Sequence, residues 1–203
     1  MRNRERIVDA AREAFVQHGP EAPLDDIARD AGVGNATLYR HFPDRSALVH
    51  HVVLAVTDRV CARAEAALAE EDEAFAALRR FVFDAADERI GALCPMLTSH
   101  LDPEAPEMVA ARNRLEAATA SLMDWGRRSG RLREDVEAGD VLVALSQLSR
   151  PLPGTGCPEL ERFVSRHLQI FLDGLRAPAR SALAGSAATF DDLRSSAVPA
   201  ERA

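Results

Sequence analysis

Residues Leu24–Leu48, with the sequence LDDIARDAGVGNATLYRHFPDRSAL, decide the fold of this chain. Two short segments with apolar residues at helical spacing flank Ala31-Gly32-Val33-Gly34, and this connection is too rich in glycine to continue either helix. In the first segment, positions i, i+3, i+4 and i+7 of one helix face are all apolar, namely Leu24, Ile27, Ala28 and Ala31. The stretch therefore predicts a helix-turn-helix.

The second of these segments has an inner and an outer side. Leu38 and Phe42 are four residues apart, so we expect both to pack under the turn together with Val33. The outer side carries groups that can bind nucleic acid, because an amide reads base edges and a guanidinium binds phosphate or guanine. These outer residues are Asn35, Thr37, Tyr39, Arg40 and His41.

An ordinary helical hairpin is the alternative interpretation, in which Tyr39, Arg40 and His41 form only a solvated face. The combination of residue types and spacing favours a helix that enters a DNA major groove roughly 12 Å wide. In that arrangement Asn35 and Thr37 lie nearest the bases.

The stretch closely resembles the DNA-binding region of the TetR family of bacterial transcriptional regulators. The points of match are Ile27-Ala28, Ala31-Gly32-Val33, Thr37-Leu38-Tyr39, His41-Phe42, the basic residue Arg45 and the apolar residue Leu48. The resemblance implies that Ala36 and Arg45 adjoin the DNA beside the outer residues, and that Arg4 near the start of the chain reaches a phosphate or the minor groove.

The sequence also departs from the family pattern. Pro23 stands where the family often has a threonine that caps the first short helix and touches phosphate. Gly34, Asn35 and Ala36 replace the more usual serine, lysine and glycine, and Arg45 replaces lysine. We expect altered phosphate contacts and an unchanged fold.

The composition limits the possible classes of protein. The net charge is −7, and residues 1–50 contain seven arginines and eight acidic residues, so we expect fewer phosphate contacts than a basic domain makes. The sequence has no apolar run of bilayer length and its first residues are charged and amphipathic, which predicts a cytoplasmic protein without a membrane partner. The cysteines Cys61, Cys94 and Cys157 lack the spacing of metal ligands, so neither a metal nor a cofactor is expected.

Enzyme signatures are lacking as well. The sequence contains no GxSxG elbow, no HExxH pair, no Walker loop and no dinucleotide fingerprint after a strand. An all-helical body without paired catalytic groups offers no obvious reaction, so the chain is not expected to be an enzyme.

Apolar periodicity and Pro/Gly breaks divide the rest of the chain into helices. They are predicted at residues 3–17, 45–70, 72–89, 96–101, 106–129, 138–149 and 158–176. The prediction is an all-α fold with a three-helix, helix-turn-helix DNA-binding domain at 1–46 and a helical effector-binding and dimerisation domain at 47–177. Residues 178–203 lack an apolar stripe and are predicted to form a mostly disordered tail.

The two strongly apolar helices at 138–149 and 158–176 predict a homodimer, because they have more surface to bury than one subunit needs. Pairing with their two-fold mates, as in the family, would form a four-helix bundle and set the recognition helices roughly 34 to 36 Å apart on a palindromic site. Folding back on the same subunit is the alternative. The expected interface residues are Leu142, Leu145, Leu148, Leu160, Phe163, Val164, His167 and Phe171.

The resemblance further implies a repressor that leaves its DNA operator when a small molecule binds between the central helices. The apolar bias of the candidate pocket wall suggests a hydrophobic or aromatic effector, with His100 as a polar handle. The candidate wall residues are Phe81, Met96, Leu97, His100, Met108, Leu122 and Trp125. Ordinary core packing is the competing interpretation for Met108 and Trp125.

Two other functions remain open at this point. One is an activator or an effector-free regulator on the same fold. The other is a helical protein-interaction module that has lost its affinity for DNA, for which Pro23 and the acidic balance give slight support.

Overall fold

The structure is a computed structural model that describes residues 2–89, 91, 102, 104–150 and 160–195. The described residues form α-helices and one isolated bridge between Leu132 and Arg176, which confirms the all-α prediction. No helix in these ranges combines the length and apolar character that crossing a bilayer requires.

The first three helices enclose a small apolar core. They are α1 (Arg2–His18), α2 (Leu24–Asp30) and α3 (Asn35–His41). The buried face of α1 includes Ile7, Ala11 and Phe15, and it meets the buried residues of the other two helices. These three helices therefore form the predicted helix-turn-helix unit.

Helix α4 (Arg45–Glu70) connects this unit to the rest of the protein. Asp44 caps its start, because the carboxylate accepts a 2.8 Å hydrogen bond from the backbone N–H of Ala47. Leu48 and Val52 are buried near α1, and Val60 and Ala64 are buried farther along the same helix. The single helix thus contributes buried residues to the helix-turn-helix unit and to the rest of one continuous apolar core.

The C-terminal body is built around the second half of α4. It contains α5 (Ala74–Asp87), α6 (Pro106–Arg128), α7 (Ala138–Leu148) and α8 (Leu160–Gly174). Helices α5 and α6 pack against α4 and against each other, and α7 and α8 pack together beside α5. The short helix predicted at 96–101 lies outside the described residues.

The structure describes part of the segment that the sequence predicts to form a mostly disordered tail, as far as residue 195. The segment continues as far as a further helix, α9 (Phe190–Ser195), which packs on α7, and Phe190 is only 8% exposed. The backbone N–H of Ala188 donates a 3.0 Å hydrogen bond to Asp140, and a Cβ at Gly139 would clash with the Ala188 carbonyl. A small residue and a carboxylate at the start of α7 therefore hold this segment in place.

Arg133 fastens the same segment from another side. Its guanidinium is only 6% exposed and donates to Asp135, to the Gly174 carbonyl and to the Ser181 carbonyl. The hydrogen bond from Arg133 lowers the pKa of the Asp135 carboxyl to about 2. The buried cation thereby joins the loop before α7 to the end of α8 and to the chain beyond it.

We expect Phe190→Ala to lower the free energy of unfolding by about 2 to 4 kcal/mol, because it removes a buried aromatic ring. Leu183→Ala is the matched control, since Leu183 belongs to the same segment and is 52% exposed. Urea unfolding followed by circular dichroism measures both variants. Equal stability of the two would contradict the packing described for residues 178–195.

Candidate nucleic-acid interface

The turn between α2 and α3 is set by Gly32. Its φ angle is +64°, a left-handed conformation that favours glycine. The N–H of Gly32 donates to the Arg29 carbonyl and that of Val33 to the Ala28 carbonyl, each at 2.9 Å, so the end of α2 is closed before α3 begins. Gly34 is extended and accepts a 2.8 Å hydrogen bond from the N–H of Thr37.

The inner side of α3 is fixed by two buried side chains, as the sequence predicts. Leu38 is 1% exposed, Phe42 is fully buried, and Val33 packs against the same cluster. This anchorage sets the rotation of α3 about its axis. The opposite side of the helix is consequently turned toward solvent.

That solvent-facing side contains the residues expected to meet DNA. Asn35, Ala36, Tyr39 and Arg40 are exposed, and Thr37 and His41 are half-buried. Tyr39 is 48% exposed although it is a large aromatic side chain. Within the described ranges, no hydrogen bond or ion pair engages Arg40, so its guanidinium is available to an external anion.

Arg45 has a different environment from the one the sequence suggests. Its Nη1 donates hydrogen bonds of 2.6 Å to the Pro20 carbonyl and 2.7 Å to the Ala22 carbonyl, and its Nε lies 3.8 Å from Glu21. These contacts fasten the loop between α1 and α2 to the first turn of α4. The guanidinium therefore has a structural role that a sequence pattern does not reveal.

Arg4 lies against the helix-turn-helix unit. Its guanidinium carbon is 5.6 Å from the centre of the Phe42 ring, and its side chain is exposed. A DNA contact by Arg4 stays a prediction. Pro23 precedes α2 and supplies no side-chain cap, in agreement with the departure noted in the sequence.

A buried carboxylate joins α1 to the body of the protein. Glu88 follows α5 and is 7% exposed. Its Oε2 lies 2.9 Å from Nε of Arg59 on α4 and 3.6 Å from Nη1 of Arg12 on α1, while its Oε1 is 3.6 Å from Nη2 of Arg63. Arg59 also pairs with Asp9 of α1 at 3.2 Å. Three helices thus meet at one charged cluster.

The expected pocket wall is only partly described. Phe81 and Leu122 are fully buried, and Met108 and Trp125 are half-buried and packed against the same core. Met96, Leu97 and His100 lie outside the described residues. A surface cavity of about 390 Å³ lies elsewhere, between the loop before α7 and residues 177–179, and none of the expected wall residues lines it.

The expected dimer residues do not share one environment. Leu145 is fully buried in its own subunit, Leu142, Leu148, Val164 and Phe171 are half-buried, and Phe163 and His167 are exposed. The side chain of Leu160 is outside the described set. Two further apolar residues of these helices that the sequence analysis did not single out, Val143 on α7 and Ile170 on α8, are exposed. The spacing of 163, 167 and 170 along one helix face could have identified Ile170.

Cys61, His50 and His51 are either buried or have partners within the protein. In the described ranges, no group of three or more His, Cys, Asp or Glu side chains could hold a metal ion. Cys61 is buried, and this burial raises the pKa of its thiol to about 11. His50 lies 3.0 Å from Glu107, and His51 lies 2.7 Å from the Ala47 carbonyl, so the adjacent histidines have separate partners.

Two family models match this chain over most of its length. The model described as bacterial regulatory proteins, tetR family, matches residues 7–52. The model described as transcriptional regulator SbtR-like, C-terminal domain, matches residues 69–177. Together they match the helix-turn-helix unit and most of the helical body, and they leave residues 53–68 of α4 between them.

Individual proteins show the same likeness. The HTH-type transcriptional repressor LfrR of Mycolicibacterium smegmatis is 41% identical over 81 residues, which is 40% of this chain and 42% of that protein. The chain therefore matches less than half the length of this curated relative. A TetR transcriptional regulator from Streptomyces coelicolor has a solved structure with 31% identity and a TM-score of 0.65, covering 87% of this chain and 99% of that one.

A third likeness concerns the fold alone. The solved structure of the TetR-like regulator LfrR from Mycobacterium smegmatis in complex with proflavine is 24% identical, with a TM-score of 0.62. The match covers 90% of this chain and 99% of that one.

We expect Glu88→Ala to lower the free energy of unfolding by about 2 to 4 kcal/mol, because it leaves several guanidiniums near one another without their shared carboxylate. Glu13→Ala is the control, since Glu13 pairs with Arg12 at an exposed site, and its loss should cost less than about 1 kcal/mol. Chemical denaturation measures both. A larger loss for Glu13→Ala would contradict a central role for Glu88.

Proposed function

Since this chain belongs to the TetR family of bacterial regulatory proteins, we propose that it acts as a dimeric repressor that a small hydrophobic or aromatic molecule releases from a palindromic operator. Family membership makes the chain a DNA-binding transcriptional regulator and not an enzyme. The orientation of α3 is the observation that carries the proposal. Buried Leu38 and Phe42 turn a polar and basic face of this helix outward.

The DNA contacts divide into two kinds. Asn35, Ala36 and Thr37 come first along α3 and lie nearest the base edges, whereas Tyr39, Arg40 and His41 reach the flanking phosphates or a guanine. Arg4 extends the contact surface from the start of α1. Arg45 supports the interface by holding the loop between α1 and α2, since its Nη1 donates to the Pro20 and Ala22 carbonyls there.

The dimer forms through one side of α7 and α8. Val143, Phe163 and Ile170 are exposed apolar residues on these two helices, and His167 lies on the same side of α8. Burying this side against a two-fold copy removes apolar surface from water and creates a four-helix bundle. Half-buried residues of the same helices pack between this side and the core of the subunit, namely Leu142, Leu148, Val164 and Phe171. Leu145 belongs to the core of its own subunit.

The effector site is proposed in the body, between α5 and α6. Half-buried Met108 and Trp125 lie on α6, and Phe81 lies on the neighbouring α5. The related repressor LfrR has been solved with proflavine, a planar aromatic compound, and this supports an aromatic effector here. The effector releases the DNA only under one condition. It must bind more tightly to the state whose recognition helices do not match the operator spacing than to the state that binds DNA.

Movement of the body reaches the helix-turn-helix unit through two connections. One is α4, which has buried residues along its whole length. The other is Glu88, which follows α5 and pairs with Arg12 of α1. A shift of α5 therefore acts on α1 directly as well as through α4.

An effector-free regulator is the second candidate. Complete burial of Phe81 and Leu122 favours it, because closely packed side chains leave no room for a ligand at their position. Lasting occupancy of the operator in the presence of planar aromatic compounds would support this alternative.

Binding to the intergenic DNA beside the chain's own gene tests the proposed function. We expect Arg40→Ala to weaken binding about tenfold and to reduce the salt slope by about 1, because it removes one cation from the interface. Fluorescence anisotropy over a range of salt concentrations measures both quantities. Arg128→Ala, which removes an exposed arginine at the end of α6, should stay within about twofold of the parent. Equal losses in the two variants would contradict the assigned interface.

The dimer is tested by Ile170→Glu. Ile170 is 58% exposed, so the subunit fold should persist, while a buried carboxylate at the proposed interface should raise the dimer dissociation constant at least about 100-fold. Sedimentation velocity measures the change. Leu183→Glu places the same charge on another exposed apolar residue and should leave the dimer intact. A stable Ile170→Glu dimer would place the interface elsewhere.

A further inference from the structure

A carboxylate from α2 holds the side chain of Asn35 on α3. Nδ2 of Asn35 donates a 2.7 Å hydrogen bond to Oδ1 of Asp25. Both side chains are exposed, and Asn35 belongs to the outward face of α3. The pair therefore lies within the surface proposed to meet DNA.

The chemistry of this pair fixes the direction of the carboxamide. An ionised carboxylate only accepts hydrogen bonds, so Asp25 can hold the nitrogen of Asn35 but not its oxygen. The two ends of an asparagine amide have nearly the same shape, and their hydrogen-bond partners decide which end lies where. With one N–H of the Asn35 amide held by Asp25, the nitrogen end is fixed on the Asp25 side, and the amide oxygen and the second N–H remain without a described partner.

We infer that Asp25 is a positioning residue that makes Asn35 present a hydrogen-bond acceptor to the operator, so that the base facing Asn35 carries an exocyclic amine. This inference rests on the proposed function. In the major groove that amine is N6 of adenine or N4 of cytosine. Guanine O6 and thymine O4 are acceptors there and would face the amide oxygen unfavourably. Without Asp25, the amide can turn its nitrogen toward those acceptors and discriminates less.

The Asp25 carboxylate also affects the overall affinity for DNA, which it lowers. Its negative charge lies on the surface that approaches the phosphates and opposes binding to DNA of any sequence. Loss of Asp25 should therefore raise the affinity for unrelated DNA and at the same time reduce base discrimination. A residue that only supported the fold would not produce this combination.

Selection of binding sites from a random double-stranded DNA library by the full-length protein tests the inference. Sequencing of the selected DNA should show one base-pair position in each half-site with a preference of about tenfold that Asn35→Ala abolishes. At that pair, a base analogue that lacks the exocyclic amine of adenine or cytosine should weaken binding about tenfold in the parent protein and not in Asn35→Ala. In Asp25→Ala the preference at that position should fall to within about twofold, while the other positions stay unchanged. Asp25→Asn keeps an acceptor oxygen without the charge and should retain part of the preference.

Asp30→Ala is the matched control, because Asp30 is an exposed carboxylate on the same helix that does not contact Asn35. It should leave the base profile unchanged. Thermal unfolding verifies that each variant is folded. If Asp25→Ala does not fold, Asp25→Ser is used in its place.

Three results would overturn the inference alone: an unchanged profile in Asp25→Ala, undiminished binding of the parent protein when the exocyclic amine is removed from the selected base pair, or equal changes in Asp25→Ala and Asp30→Ala. A parent protein that enriches no sequence would overturn the proposed function and this inference with it.

Discussion

One face of α4 is buried along the helix from Leu48 to Ala67, and the rest of the structure depends on this constraint. Leu48 and Val52 are buried beside the helix-turn-helix unit and Val60 and Ala64 are buried in the body, all within one continuous apolar core. A helix of 26 residues is about 39 Å long and cannot bend sharply without a break in its hydrogen bonds. A tilt of α4 imposed at one end therefore changes the side-chain packing at its other end.

Charge in this acidic protein is organised by pairing. Arg12 and Arg59 share Glu88, Arg133 is paired with Asp135, and Arg45 is engaged by backbone carbonyls. Arg40, on the outward face of α3, has no such partner in the described structure. The net charge of −7 is thus compatible with binding to DNA, because the placement of a few cations matters more than their sum.

The sequence was sufficient for the local fold of the recognition unit, because a 3.6-residue period and a left-handed glycine leave few alternatives around Gly32. The sequence was insufficient to predict the hydrogen bonds of Arg45, because a pattern of side chains does not show that the Pro20 and Ala22 carbonyls lie within its reach. Nor does a side-chain pattern show that the Ala188 carbonyl lies close to Gly139, or that the Ala188 N–H donates to Asp140, a residue far away along the chain. Contacts that depend on backbone groups distant in sequence leave no periodic signal.

The burial of Glu88 has a practical consequence for handling the protein. Dissolved ions screen exposed charges strongly and buried pairs much less, so concentrated salt should release co-purifying nucleic acid from the protein without separating α1 from the body. Chromatography in such a buffer would then yield protein without bound polynucleotide, in which α1 is still packed on the body. Dialysis into low salt would restore its capacity to bind DNA.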